Sequence, residues 1–225
     1  MTIGETAAED CPVTILNPFP ARRTSWHARI GWLIVLLLCL GIVGYSAKYL
    51  LHPPQTPDQA LGNPLGVPFL FIHVAGAVTA LLLGSLQFIP ALRRGARRPH
   101  RWIGRIYVLG CLVGGGAGLV LAFGSFAGLI ATAGFGSLAV LWLAVTLLGW
   151  RAALQGRFAD HRRWMIRSWA LTLAAVSLRL YLPLVQILDL PFLPWYRAIS
   201  FLAWVPNLMA AELWLRTRAG FPTNA

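Results

Sequence analysis

Six apolar runs divide the chain, near residues 29–51, 67–92, 103–123, 125–150, 164–187 and 196–215. Each is long enough, at roughly 20 helical residues, to cross a hydrocarbon core of about 30 Å. The fifth run differs from the others. A basic cap, Arg162-Arg163-Trp164-Met165-Ile166-Arg167, leads straight into it, and Arg179 lies inside it. At about 100° per residue, His161, Ser168, Thr172, Ala175, Arg179 and Gln186 fall close to one line on this helix, while Leu and Val fill most of the remaining surface. In lipid such a polar stripe has to face other helices or a watery cavity, so the fold and any function are expected along it.

Composition supports a membrane reading. Of 225 residues 57% are hydrophobic and 12% charged, and the mean hydropathy is +0.66. The pattern predicts an all-α membrane protein, a six-transmembrane-helix bundle spanning residues 27–218. The net charge of +12 comes from 18 Arg and a single Lys, Lys48. The arginines sit in short loops between apolar runs rather than on a soluble face, which argues against nucleic acid as a partner. Arg22, Arg23 and Arg29 precede the first run; Arg93, Arg94, Arg97, Arg98 and Arg101 follow the second; Arg151, Arg157, Arg162 and Arg163 follow the fourth; Arg216 and Arg218 end the chain. Every basic loop therefore falls on one side of the six-helix alternation. The positive-inside rule makes that side cytoplasmic, with both termini inside, as in a multi-pass protein of a bacterial inner membrane. Residues 1–26, polar and without period, read as a disordered cytoplasmic tail, and 219–225 as a short one. The arginine loops are expected to meet anionic lipid headgroups.

Close helix packing is expected where small residues recur, at Gly76, Ala80 and Gly84 in the second run and at Gly110, Gly114 and Gly118 in the third. Pro206 should kink the last helix. Cys11, Cys39 and Cys111 have no metal-type spacing, and the two in apolar runs read as inert packing.

The candidate chemistry lies with three histidines and one arginine. His100 opens the third helix and His161 the fifth, both at cytoplasmic ends. Two neutral imidazoles at one level on facing helices can hold a haem iron from both sides; the alternative is that both are interfacial residues touching headgroups or loops. His73 lies about 9 Å below the outer end of the second helix, and Arg179 at a similar depth on the fifth. Both are costly in lipid, so they are expected to line an internal outer pocket, which is read here as His73, Arg179 and Gln87. Arg179 suits a carboxylate such as a haem propionate, or a quinone carbonyl; the alternative is a structural bond to loop carbonyls or Asp189. No carboxylate series, phosphate loop or Ser/His/Asp constellation is present, which argues against a membrane hydrolase.

Two blocks carry a resemblance. The first runs from His73-Val74-Ala75-Gly76 through Leu82-Leu83-Gly84-Ser85-Leu86-Gln87-Phe88 to His100-Arg101-Trp102-Ile103-Gly104-Arg105-Ile106-Tyr107; the second is His161-Arg162-Arg163-Trp164-Met165-Ile166-Arg167-Ser168 with Arg179-Leu180. Over about residues 65–190 they resemble the bacterial predicted-membrane-protein family catalogued as a domain of unknown function, number 2306. That resemblance implies topology more than activity. More distantly, His73, Gly76, Gly84, His100 and Gly104 are similar to a pattern in b-561-type membrane cytochromes. There a third-helix histidine pairs with a fifth-helix one, which implies His100 with His161. The fourth-helix partner that pattern expects for His73 is missing, because residues 125–150 contain no His.

Three functional readings follow. In the first, the protein relays electrons through one haem b on His100 and His161, with Arg179 and His73 forming an outer site for a quinone or other small molecule and a redox partner. The second is a small-molecule transporter whose outer pocket is His73 and Arg179. The third is a non-catalytic membrane subunit whose histidines and arginines only anchor loops to lipid.

Overall fold

The computed structural model describes residues 26–56, 58, 62–87 and 97–219. Expectations for the tail 1–25, for the end of the second run at 88–92, for Arg93 and Arg94 and for the segment 220–225 fall outside them. Among the described residues the chain forms eight helices and no strand: α1 (Trp26–Leu51), α2 (Gly66–Gln87), α3 (Arg97–Phe123), α4 (Leu129–Leu154), α5 (Phe158–Thr172), α6 (Ala174–Ile187), α7 (Phe192–Leu202) and α8 (Val205–Ala219). They make six segments long and apolar enough to cross a membrane, with α5–α6 forming the fifth span and α7–α8 the sixth.

Several boundaries differ from the sequence expectation, the fifth and sixth spans starting at Phe158 and Phe192 rather than 164 and 196, and four differences have a local reason. The third helix starts at Arg97 rather than 103, with Pro99 in its first turn, where a missing N–H costs nothing. The fourth starts at Leu129 rather than 125, because Gly128 adopts φ 78° and turns the chain just before it. The last two spans are each broken in two. In the sixth, Pro206 sits in the first turn of α8, and the ring that cannot continue a helix leaves Ala203 and Trp204 as the joint. In the fifth, the break falls at Leu173 without Gly or Pro. There the Thr172 hydroxyl donates back to the Ser168 carbonyl at 2.9 Å, a bond that bends helices. The Val176 N–H then reaches only three residues back, to the Leu173 carbonyl at 2.9 Å.

Span five is the hub. α5 packs on α4, α2 and α8, and α6 on α1 and α7. The closest pair is α2 against α3. A Cβ placed on Gly114 would sit 2.8 Å from the Ala77 nitrogen, and one on Gly110 would sit 2.9 Å from the Gly76 carbonyl oxygen. These are the small-residue ridges the sequence shows, and only glycine permits backbones this close. α1 is the loosest element, with Leu33, Ile34, Leu37 and Tyr45 all exposed, as befits a lipid-facing helix. Cys39 and Cys111 are buried free thiols.

The half of the bundle that carries the arginine loops, called the inner half after the positive-inside expectation, is filled. Gly84 of α2 makes room for the Trp169 ring and for Tyr107. Behind them a hydroxyl network ties three spans together. The Tyr107 hydroxyl bonds Ser168 at 2.8 Å and Thr172 at 3.1 Å, Thr146 bonds Ser168 at 2.7 Å, and the Trp142 indole N–H donates to Thr172 at 3.0 Å. Ser168 and Thr146 are completely buried, so mutual bonding is what makes their burial affordable in lipid. Nearer the inner end Arg167 grips Glu212 with two bonds, at 2.5 and 3.0 Å, joining α5 to α8.

Candidate functional site: an outer cavity around His73 and Arg179

Above the hydroxyl network the packing opens. A cavity of about 700 Å³ lies among α1, α2, α3, α4, α6 and the start of α7. Trp142 and Thr172, both members of the network, form its floor. Its outer end is lined by an aromatic cluster in which Tyr196 meets Phe126, Phe135 and Phe192 with ring centres 4.9, 5.6 and 5.5 Å apart. Asn63 pins the adjacent loop, donating to the Leu121 carbonyl at 2.8 Å and accepting from the Leu65 N–H at 2.9 Å. The side walls are mostly apolar, with Leu70, Ala77, Leu81, Leu138 and Leu178 among them.

His73 and Arg179 both line this cavity. His73 lies about 10 Å along α2 from its first residue, and Arg179 about 12 Å from the far end of α6. The His73 ring owes its position to α3. Its Nδ1 lies 2.8 Å from the Gly114 carbonyl oxygen. A carbonyl only accepts, so Nδ1 carries the proton and Nε2, on the other side of the ring, keeps its lone pair. Gly118, one turn further on, leaves room for the imidazole, since a Cβ there would approach Nδ1 to 2.8 Å. The ridge Gly110–Gly114–Gly118 thus serves first as a packing surface and then as a socket for one side chain.

Arg179 is the only charged residue among the cavity's lining. Among the described residues its one hydrogen bond is to the Ala175 carbonyl of its own helix, at 3.1 Å. Both ion pairs among the described residues lie elsewhere, at Arg157–Asp160 and Arg167–Glu212. Asp189, an alternative partner, follows α6 at φ 48° and does not pair with it. The polar stripe read from the sequence is divided by the break at Leu173. Ser168 and Thr172 enter the network below it, and Ala175, Arg179 and Gln186 face the cavity above.

A family model described as Predicted membrane protein (DUF2306) matches residues 70–215, well over half of the chain. The chain belongs to this family. The match extends past the two blocks that carried the resemblance and takes in most of the sixth span. No curated protein and no solved structure matches the chain.

In this DUF2306 protein the remaining candidates lie at the opposite end of the bundle. His100 is in the first turn of α3 and His161 in the first turn of α5. The His161 Nδ1–H donates to the Gly149 carbonyl at 2.9 Å, so in the neutral ring the lone pair is on Nε2. Gln87 does not belong to the outer pocket. It closes α2 about 21 Å from His73, and its amide donates to the His100 carbonyl at 3.1 Å. Arg179 likewise cannot share one cofactor with His161, since the two stand about 27 Å apart along one span. Among the described residues no group of three or more His, Cys, Asp or Glu converges. Two cavity residues had no signal in the sequence, Ser46 of α1 and Ser125 of the outer turn.

Proposed function

We propose that this multi-pass membrane protein binds one amphipathic small molecule in the outer cavity, held at its polar pole by His73 and Arg179. In this reading the chain lies in a bacterial inner membrane with its arginine loops and both termini on the cytoplasmic side, which is what the positive-inside rule favours. The arginine loops then meet anionic headgroups, and the cavity belongs to the outer leaflet.

One observation carries the reading: a guanidinium within a membrane span faces an apolar-walled cavity and has no carboxylate partner among the described residues. Ionisable side chains at such depth mark ligand paths or sites. The two polar groups are complementary, because Arg179 only donates while the His73 Nε2 accepts. A head group that accepts from Arg179, a carboxylate or a quinone carbonyl among others, meets the charged group, and the His73 Nε2 takes a hydroxyl or water donor beside it. The filled floor at Trp142 and Thr172 favours binding over passage through the bundle, and so favours this reading over a transporter.

Mass spectrometry of the organic extract from detergent-purified protein tests it. The wild-type chain is expected to carry an amphipathic small molecule that folded Arg179→Gln lacks. Identical extracts from the two would remove the reading.

A second reading keeps a haem b between His100 and His161, with a redox partner at the inner face. What favours it is the His161–Gly149 bond, which fixes the tautomer that an axial ligand needs. A reduced-minus-oxidised spectrum decides it. A haem b band lost in His161→Ala supports the pair, whereas a colourless protein after expression with added haem rules it out.

A further inference from the structure

Two hydroxyls in the cavity wall have no partner among the described residues. The Ser46 and Ser125 oxygens are buried without a hydrogen-bond partner, and both residues line the cavity. Other serines of this bundle return the hydroxyl to their own helix: Ser85 to the Leu82 carbonyl at 2.6 Å, Ser137 to Ala133 at 2.7 Å and Ser200 to Arg197 at 2.6 Å. Ser46, inside α1 and 1% exposed, does not use that option. An unbonded hydroxyl at this depth is destabilising unless something else completes it.

Ser46 shares its wall with Arg179. Its helix, α1, packs on α6, which carries the arginine, and its neighbours Tyr45 and Tyr49 lie within electrostatic reach of the guanidinium. Among the described residues no Asp or Glu lines the cavity, so there the cavity has a single positive charge and no protein anion to balance it. Arg179 has five N–H donors in a planar fork, and one protein bond engages only a part of them. A carboxylate answers this arrangement. Its single negative charge balances one guanidinium, its two oxygens fit the fork, and a further lone pair accepts from Ser46. The volume, about 700 Å³, suits one chain with a compact head. A diacyl lipid would have to leave a chain outside.

We propose that the ligand is a single-chain carboxylate, a fatty-acid-like amphiphile whose head is bound by Arg179 and Ser46 and whose chain lies along the Leu and Trp walls. This rests on the small-molecule reading of the cavity and names its ligand class. Anionic heads also occur on phospholipids, and the test separates the two sources.

The experiment is displacement of a fluorescent long-chain carboxylate from the detergent-purified full-length chain by palmitate, methyl palmitate, decyl-quinone and phosphatidylglycerol. Palmitate is expected to displace the probe, with methyl palmitate weaker by about tenfold or more, the scale of a lost hydrogen bond to a charged group. Arg179→Gln should reduce palmitate to the level of its ester, and Ser46→Ala should weaken it a few-fold while leaving the ester unchanged. Ester or quinone binding as tightly as palmitate would overturn the carboxylate assignment and leave the cavity reading standing. So would stronger displacement by phosphatidylglycerol. Failure of every probe and competitor to bind would overturn both. If Arg179→Gln does not fold, Ser46→Ala still decides, because equal loss for palmitate and ester contradicts head-group recognition by this hydroxyl.

Discussion

The two halves of this bundle treat polar groups in opposite ways. In the inner half, Tyr107, Ser168, Thr146, Thr172 and Trp142 bond one another, and Arg167 is matched by Glu212. In the outer half, among the described residues, Arg179 bonds only its own helix, and Ser46 and Ser125 bond nothing. The hydroxyl network and the cavity serines are alike withdrawn from the surface, so between them the difference is not one of exposure. Polar groups that complete each other hold helices together; polar groups left incomplete, around a cavity, are arranged for something that enters it. Thr172 belongs to both sets, accepting from Trp142 in the network while forming the cavity floor.

Substitutions should divide along the same line. The largest loss of stability is expected from Gly84→Leu, which drives a side chain into the Trp169 ring and Tyr107; overpacking of this kind costs about 3 kcal/mol, and little folded protein should survive size-exclusion chromatography. Tyr107→Phe should cost about 1 kcal/mol, by leaving Ser168 and Thr172 each short of a partner. Thermal unfolding in detergent would show the drop, and probe binding in the cavity should stay unchanged. Asn207→Ala comes next, at about 0.6 kcal/mol. It removes the pair with Ser177, 3.0 Å from the amide nitrogen, that links α8 to α6 across the two broken spans. Smallest of all in stability, Arg179→Gln compared with wild type after both are stripped of bound ligand should leave the melting temperature unchanged or raise it, since it deletes an unbalanced charge. A large fall in stability on Arg179→Gln, or none on Tyr107→Phe, would erase the contrast between the halves.

Much of the architecture was legible in the sequence because lipid leaves few choices. The six spans follow from the length of the apolar runs, and the contact of α2 with α3 from glycines at four-residue spacing. His73 and Arg179 could be assigned one layer by counting turns from the same end of the bundle. Counting alone misplaced Gln87, whose position at the last turn of α2 puts it beside His100 instead. The break at Leu173 left no trace, because its cause is a hydroxyl bonding backwards rather than a Gly or Pro. Ser46 was equally invisible. Whether a serine returns its hydroxyl to its own helix or holds it toward a cavity depends on what packs beside it, and residue type does not encode that. Tyr107 lay in a recognisable block, yet its role emerges only once α3, α4 and α5 are seen to meet at its hydroxyl.

The arginine in span five also bears on how the chain is made. An arginine near a helix centre adds about 2.5–3.5 kcal/mol to the cost of leaving the translocon for lipid. The span that carries it, Phe158–Ile187, has a mean hydropathy of 1.6, lower than any of the four spans that emerge before it, at 2.3, 2.1, 2.1 and 1.9. α1, α2 and α4, which pack directly on this span, are all synthesised earlier. The least lipid-soluble of the first five spans therefore arrives when its neighbours are already in place to receive it, and the hub of the finished bundle is among the last parts to settle into the bilayer.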